Sequence, residues 1–168
     1  MDFRQSACDE VGSLVQRKKI LAVDDEPDVL EIIEEILSEC DCRTVTTFEE
    51  AERLLRTDHY DMVILDIMGV HGLDLLDTAV ECGSPAVMLT AHAFDPGTIL
   101  QSMLLGAVSF FPKEDIENLD WLLPELFDLM EKGESTWPHA MKRLAPLLDA
   151  RFTPKWRDAF REMGEFEL

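Results

Sequence analysis

An α/β fold, a five-stranded doubly wound parallel sheet followed by a C-terminal α-helical extension, is predicted by three features of the sequence. Short apolar runs recur four times, each ending in turn or charged residues, and a fifth strand candidate, Arg43-Thr-Val45, lies between the first two of them. A buried helix shows the same continuous apolarity, and the shortness of the runs favours strands buried on both faces. Between the runs lie stretches with apolar residues at helical spacing, the alternation that helices on both faces of a parallel sheet require. The clearest run, Met62-Val-Ile-Leu65, passes into Asp66 and then into glycines, which puts an acid at a strand's carboxyl end, where open α/β sheets bind ligands. On its own Asp66 reads equally well as a turn residue.

In chain order, residues 1–17 are polar and aperiodic, the pattern of a mobile leader. Lys19 to Val23 is the first strand, running into Asp24-Asp25-Glu26. Pro27 suits the first helical position, where its missing N–H costs nothing and the preceding acids complement the helix dipole. That helix is expected to about Glu39, with Val29, Leu30, Ile33, Ile36 and Leu37 as its apolar stripe and Ile32 widening it. Arg43 to Val45 is a second strand, and Thr47-Phe-Glu-Glu50 reads as a capping box opening a helix to about Arg56. After the Met62 strand, Gly72 to Cys82 forms a helix carrying Leu73, Leu76 and Val80 inward. Pro85 to Leu89 is the fourth strand, ending in Thr90. A weaker helix spans Pro96 to Leu105, and Ala107 to Phe111 is the fifth strand, closed by Pro112-Lys113. From Asp115 to Glu131 runs a helix with Pro124 inside it, which either kinks there or divides in two.

Composition narrows the function classes. The chain has 168 residues, 46% of them apolar, enough for one domain with its own core and a small appendage. No segment approaches the ~18 apolar residues of a membrane span, and no signal peptide is evident, so a cytoplasmic location is expected. Cys8, Cys40, Cys42 and Cys82 lack paired spacing and read as reduced thiols. Cys40-Asp-Cys42 reads as a turn with incidental thiols before it reads as a metal site. The net charge is -20, and the first 133 residues hold all of that excess, with 29 of the 35 acids against 9 of the 15 bases. Such a surface repels phosphate backbones, which argues against nucleic acid and for basic partners or a cation.

The element order brings five chemically useful residues to one edge: Asp24 and Asp25 after strand one, Asp66 after three, Thr90 after four and Lys113 after five. Clustered carboxylates repel one another unless a hard cation lies between them, and oxygen ligands in this number suit Mg2+. A cation, a hydroxyl and an ammonium around one carboxylate are what phosphoryl transfer onto that carboxylate needs. Strand-end Asp and Thr are commonplace, and Lys113 alone reads as a solvated loop residue. It is their joint placement that carries the argument.

Residues 19 to about 131 resemble the receiver domain of two-component response regulators, a flavodoxin-like fold of the chemotaxis-response-regulator kind. The matching stretches are Ile20-Leu-Ala-Val-Asp-Asp-Glu-Pro27, Val63-Ile-Leu-Asp66, Gly72-Leu-Asp-Leu-Leu76, Met88-Leu-Thr-Ala91 and Gly106-Ala-Val-Ser-Phe-Phe-Pro-Lys113. The resemblance implies that Asp66 accepts a phosphoryl group from a histidine kinase or phosphotransfer protein. It further implies that Asp25 binds Mg2+ directly, with Asp24 acting through water and the Met68 backbone carbonyl as a ligand beside Asp66. Thr90 would bond the phosphoryl oxygen and Lys113 pair with it, while Phe110 falls at the aromatic switch position. Family members switch the face formed by the fourth helix, fifth strand and fifth helix, and signal by it to an effector protein or a second copy. The domain would be a self-phosphorylating and self-dephosphorylating phosphoacceptor with no separate catalytic domain.

Three departures stand out. The segment Asp66-Ile-Met-Gly-Val-His-Gly72 is two residues shorter than the family pattern and lacks its proline. Pro112 precedes Lys113 instead of following it, and Glu114 follows, positioned to compete for the lysine. Phe110 lacks the hydroxyl common at its position. These motivate the alternative of an interaction scaffold that does not cycle phosphate.

The partition expected is a leader over 1–17, the receiver over 18–132 and a helical extension over 133–168. In the extension, Ser135 or Thr136 caps a helix from Pro138 with Met141, Leu144, Leu147 and Leu148 on one side. Thr153-Pro154 starts a second helix with Trp156, Phe160 and Met163. Two short helices bury no core alone, so they dock, either on the sheet or fifth helix of this chain or on another chain, a homodimer included. Their six basic residues belong to a segment too short for a DNA-binding unit.

Overall fold

The computed structural model describes residues 15–91 and 95–162. Most of the expected leader, Cys8, His92 and Met163 lie outside the described residues. Five strands form one sheet in the order β2-β1-β3-β4-β5: β1 (Lys19–Val23), β2 (Asp41–Val45), β3 (Met62–Asp66), β4 (Ala86–Thr90) and β5 (Ser109–Pro112). All four neighbouring pairs are parallel, with Val23 opposite Leu65, Asp66 opposite Leu89 and Thr90 opposite Pro112. Because β2 and β3 flank β1 on opposite sides, the chain reverses direction across the sheet between β1 and β3. The loops after those two strands therefore border one crevice.

Helices connect the strands: α1 (Pro27–Ile36), α2 (Phe48–Thr57), α3 (Gly72–Glu81) and α4 (Pro96–Leu104). A 3-10 segment at Lys113–Asn118 leads into α5 (Leu119–Glu131), and α6 (Trp137–Arg151) and α7 (Trp156–Arg161) form the extension. Apolar side chains alternate between two cores on either side of the sheet. Leu21, Val63, Met88 and Phe110 face α2, α3 and α4, while Ile20, Ile64, Val87 and Phe111 face α1 and α5. Val15 is buried in the second core, so the end of the expected leader is tied down.

Several local expectations are corrected. The helix α1 stops at Ile36, short of Glu39, and Ile32 is exposed instead of widening the stripe. Strand β2 begins at Asp41 and holds Cys42, whose thiol burial pushes up to about 12, so it is an inert strand residue and not part of a turn. Thr47 occupies the N-cap of α2 but makes no side-chain cap bond, and Glu50 reaches Arg43 instead. On α3 the buried residues are Gly72, Leu75, Leu76, Thr78 and Ala79, while Val80 points outward and leans over Gly106. The helix α5 starts at Leu119, not Asp115, and runs through Pro124 as one helix, which leaves the Asp120 carbonyl without its intrahelical donor.

The extension docks on its own chain. An edge strand leaves backbone groups open to chance pairing unless something covers it, and α6 lies alongside β5 while α7 packs on α4. At the start of α6, Trp137 Nε1 donates to the Ala107 carbonyl at 2.7 Å. The Thr136 hydroxyl donates to the Val108 carbonyl instead of capping its helix. Further along, Arg143 sits 5.6 Å over the Phe111 ring and 3.2 Å from Glu125 of α5, which also contacts His139 at 3.0 Å. Trp137, Met141, Leu144, Leu148, Trp156 and Phe160 are buried in the α2–α4 core, whereas Leu147, expected on the same stripe, is partly exposed.

Candidate functional site

The register brings the predicted residues to the carboxyl edge of the sheet. Asp24 follows β1 and is 1% exposed, and Asp66 ends β3 at 4%. Lys113 enters from the end of β5, with Nζ 2.7 Å from Asp24 Oδ2, 2.8 Å from Glu26 Oε1 and 3.3 Å from Asp66 Oδ1. The other Asp66 oxygen, Oδ2, accepts the Gly69 N–H at 2.9 Å, and Asp24 Oδ1 accepts the Glu26 N–H at 2.9 Å. In front of these groups is a cavity of 330 Å³ with Asp25, Glu26, Asp66 and Lys113 on its polar side and Met68, Gly69 and Ala91 closing it.

Burial pushes the Asp24 carboxyl above the ordinary carboxylate range, and the nearby Asp66 charge adds to this, while Lys113 and the Glu26 N–H partly offset it. For Lys113, burial opposes the charge, but hydrogen bonds to Asp24 and Glu26 and the Asp66 charge outweigh it and hold the amine protonated. The arrangement therefore has an excess of buried negative charge and a single ammonium shared by three carboxylates. One oxygen each from Asp24, Asp25 and Glu26 lies within 4.8 Å of the others, a spacing that admits a hard cation. Three oxygens on one side and a cavity beside them fit Mg2+ with its retained waters.

Thr90 ends β4 and is buried, and Ala91 rather than Thr90 forms part of the cavity wall. Phe110 is fully buried on β5, in register with Met88, so its ring lies inward without a hydroxyl. Met68 borders the cavity but its side chain is 68% exposed. Two site residues were not singled out from sequence. Glu26, read there as a helix-dipole acid, is the carboxylate that competes for Lys113, whereas Glu114 lies beside Leu147 and Arg151. Gly69 touches both Asp66 and Asp25. The shortness of its loop was the available signal.

A parallel five-stranded sheet with an acidic pocket and a lysine at its switch point defines a receiver-type signalling domain. The chain belongs to the response regulator receiver domain family, whose family model matches residues 20–122. It is 33% identical over 101 residues to the two-component response regulator ARR18 of Arabidopsis thaliana, covering 56% of this chain and 16% of that protein. To the response regulator protein PilR of Pseudomonas aeruginosa it is 32% identical over 105 residues, covering 59% of this chain and 23% of that one. The chain thus spans less than a quarter of the length of these relatives. Among solved structures, the CheY-like receiver domain protein of Methanospirillum hungatei superposes with a TM-score of 0.63 at 23% identity over 70% of this chain and 98% of that one. The chain carries a receiver domain of the two-component response regulator kind, and no helix among the described residues is long and apolar enough to cross a membrane.

Proposed function

We propose that Asp66 is the phosphoacceptor, receiving its group from a histidine kinase or phosphotransfer protein, and that the phosphorylated receiver signals by protein contacts. The observation that carries this is the Lys113 ammonium shared among Asp24, Glu26 and Asp66 at the mouth of a cavity. Asp66 Oδ2 is held by the Gly69 N–H, which fixes the carboxylate, and Lys113 stands beside Oδ1 to pair with an incoming phosphoryl oxygen. Asp24, Asp25 and Glu26 have oxygens close enough together to hold Mg2+, and Asp66 and the Met68 carbonyl, which the family resemblance implies as ligands, would join them from across the cavity. When bound, Mg2+ neutralises charge on the equatorial oxygens during transfer. Thr90 would bond the phosphoryl oxygen, with Phe110 repacking behind it as the switch residue.

Residues 18–132 act as the receiver and 133–168 as a helical extension whose described part, to residue 162, covers it, and a kinase partner implies a cytoplasmic location. With α6 along β5, a homodimer or effector using α4, β5 and α5 would first have to displace the extension or include it. Nothing favours the scaffold alternative. Incubation with acetyl phosphate and Mg2+, read by intact mass, tests the reading. One phosphoryl group is expected on the wild-type chain and none on Asp66→Asn. Labelling that persists in Asp66→Asn would move the acceptor elsewhere.

A further inference from the structure

We propose that Gly69 is a positioning residue for the acidic pocket: its bare Cα seats the Asp25 carboxylate while its N–H holds Asp66, so that one residue sets the two acids relative to each other. The inference rests on the site reading above and deepens it. A side chain at position 69 would meet Asp25 Oδ1 at 1.9 Å and Asp25 Cγ at 2.1 Å, so the carboxylate lies where a Cβ would be. The same residue donates its N–H to Asp66 Oδ2 at 2.9 Å. Within the shortened loop, Gly69 thereby meets both acids through its backbone.

The two glycines of this loop differ in what they protect. A Cβ at Gly72 would strike the Asp66 carbonyl oxygen at 2.0 Å and the Ile67 Cα at 2.9 Å, which are backbone atoms that cannot turn away. At Gly69 the obstacle is the end of an exposed, rotatable side chain, and the glycine's φ is not positive. Alanine at 72 therefore disturbs the fold, whereas alanine at 69 turns Asp25 aside and leaves the fold in place. Displacing Asp25 takes away one of the oxygens close enough to share a cation. Groups that orient metal ligands without binding the ion change affinity by about 10–100-fold.

The test uses the full chain, with Mg2+ alone as the probe. Calorimetric Mg2+ titration and thermal melts in EDTA are compared for wild type, Gly69→Ala, Asp25→Ala and the double variant. Gly69→Ala is expected to melt with the wild type in EDTA and to bind Mg2+ about tenfold or more weakly, with the double variant no weaker than Asp25→Ala, because both act through one carboxylate. Additive losses in the double variant, an unchanged Mg2+ affinity in Gly69→Ala, or a lowered melt of Gly69→Ala in EDTA would each overturn the positioning role while leaving the pocket reading intact. A wild-type chain that binds no Mg2+ would overturn both.

Discussion

The Lys113 ammonium lies closer to Asp24 than to Asp66, at 2.7 Å against 3.3 Å, so without phosphate the lysine serves mainly as counter-ion to the more deeply buried acid. On the proposed reading, pairing with a phosphoryl group on Asp66 would require the lysine to loosen its hold on Asp24 and Glu26. It would then be both a stabilising group and a reacting one.

Removing it should expose that double duty. Lys113→Met leaves Asp24 buried with no cationic partner, and breaking a buried pair from one side costs about 3 kcal/mol. Urea denaturation in EDTA should show that loss. Mg2+ should then stabilise the variant more than it stabilises the wild type, since a cation takes over the neutralisation. Equal Mg2+ stabilisation in both proteins would mean that the lysine and the cation site are independent.

The cover over β5 offers a second test. Trp137→Phe keeps the ring packing and deletes the Nε1 bond to the Ala107 carbonyl, leaving a buried acceptor without that donor. A loss of about 1–2 kcal/mol is expected. Hydrogen exchange should quicken along α6 before it does along β1 or β3. Uniform acceleration across the sheet would show that the extension and the receiver open as one unit.

How far the sequence reveals this structure depends on what each residue faces. Strands β1, β3 and β4 were legible because both faces are buried, so after Lys19 at the start of β1 their residues are apolar until the sheet ends. The start of β2 was hidden because it is an edge strand, with Asp41 and Arg43 exposed to solvent. Val80 was misplaced because the inward face of α3 is made partly of Gly72 and Ala79, small residues that an apolar stripe undervalues. Within the site, Asp24, Asp25, Asp66 and Lys113 could be read from their places at strand ends. Glu26 and Gly69 could not, since their roles arise from contacts across the crevice that only the folded register creates.

A pH dependence is expected at the junction of α6 and α7. Asp149 accepts from Arg157 and Trp156, and those bonds hold its carboxyl below its ordinary value of 3.8. A depressed folded-state value means that the contribution is present above the ordinary carboxylate range and is lost as pH falls through the depressed one. The pair is partly exposed, so the effect is small. Asp149→Asn should therefore have a slightly lower urea midpoint than wild type at neutral pH, and the gap should close on acidification below about pH 4. A gap that persists at low pH would assign Asp149 a packing role instead.

The lifetime of the phosphorylated state provides the last test. Hydrolysis of an aspartyl phosphate needs a water held in line behind the phosphorus, and the side chain bordering the cavity beside Asp66 is Met68. A thioether is a poor hydrogen-bond acceptor, so it orients no water, and its bulk hinders one from approaching. Although 68% exposed, Met68 stands at the cavity wall, where an amide or carboxylate in its place would reach the incoming water. One added hydrogen bond of about 1 kcal/mol in the transition state corresponds to about fivefold in rate. Met68→Asn and Met68→Glu should thus shorten the half-life of phospho-Asp66 about fivefold, followed by loss of phosphate after the donor is removed. If both variants decay at the wild-type rate while His92→Ala slows the decay, the histidine two positions after Thr90 in the sequence controls the lifetime and Met68 is only a bystander.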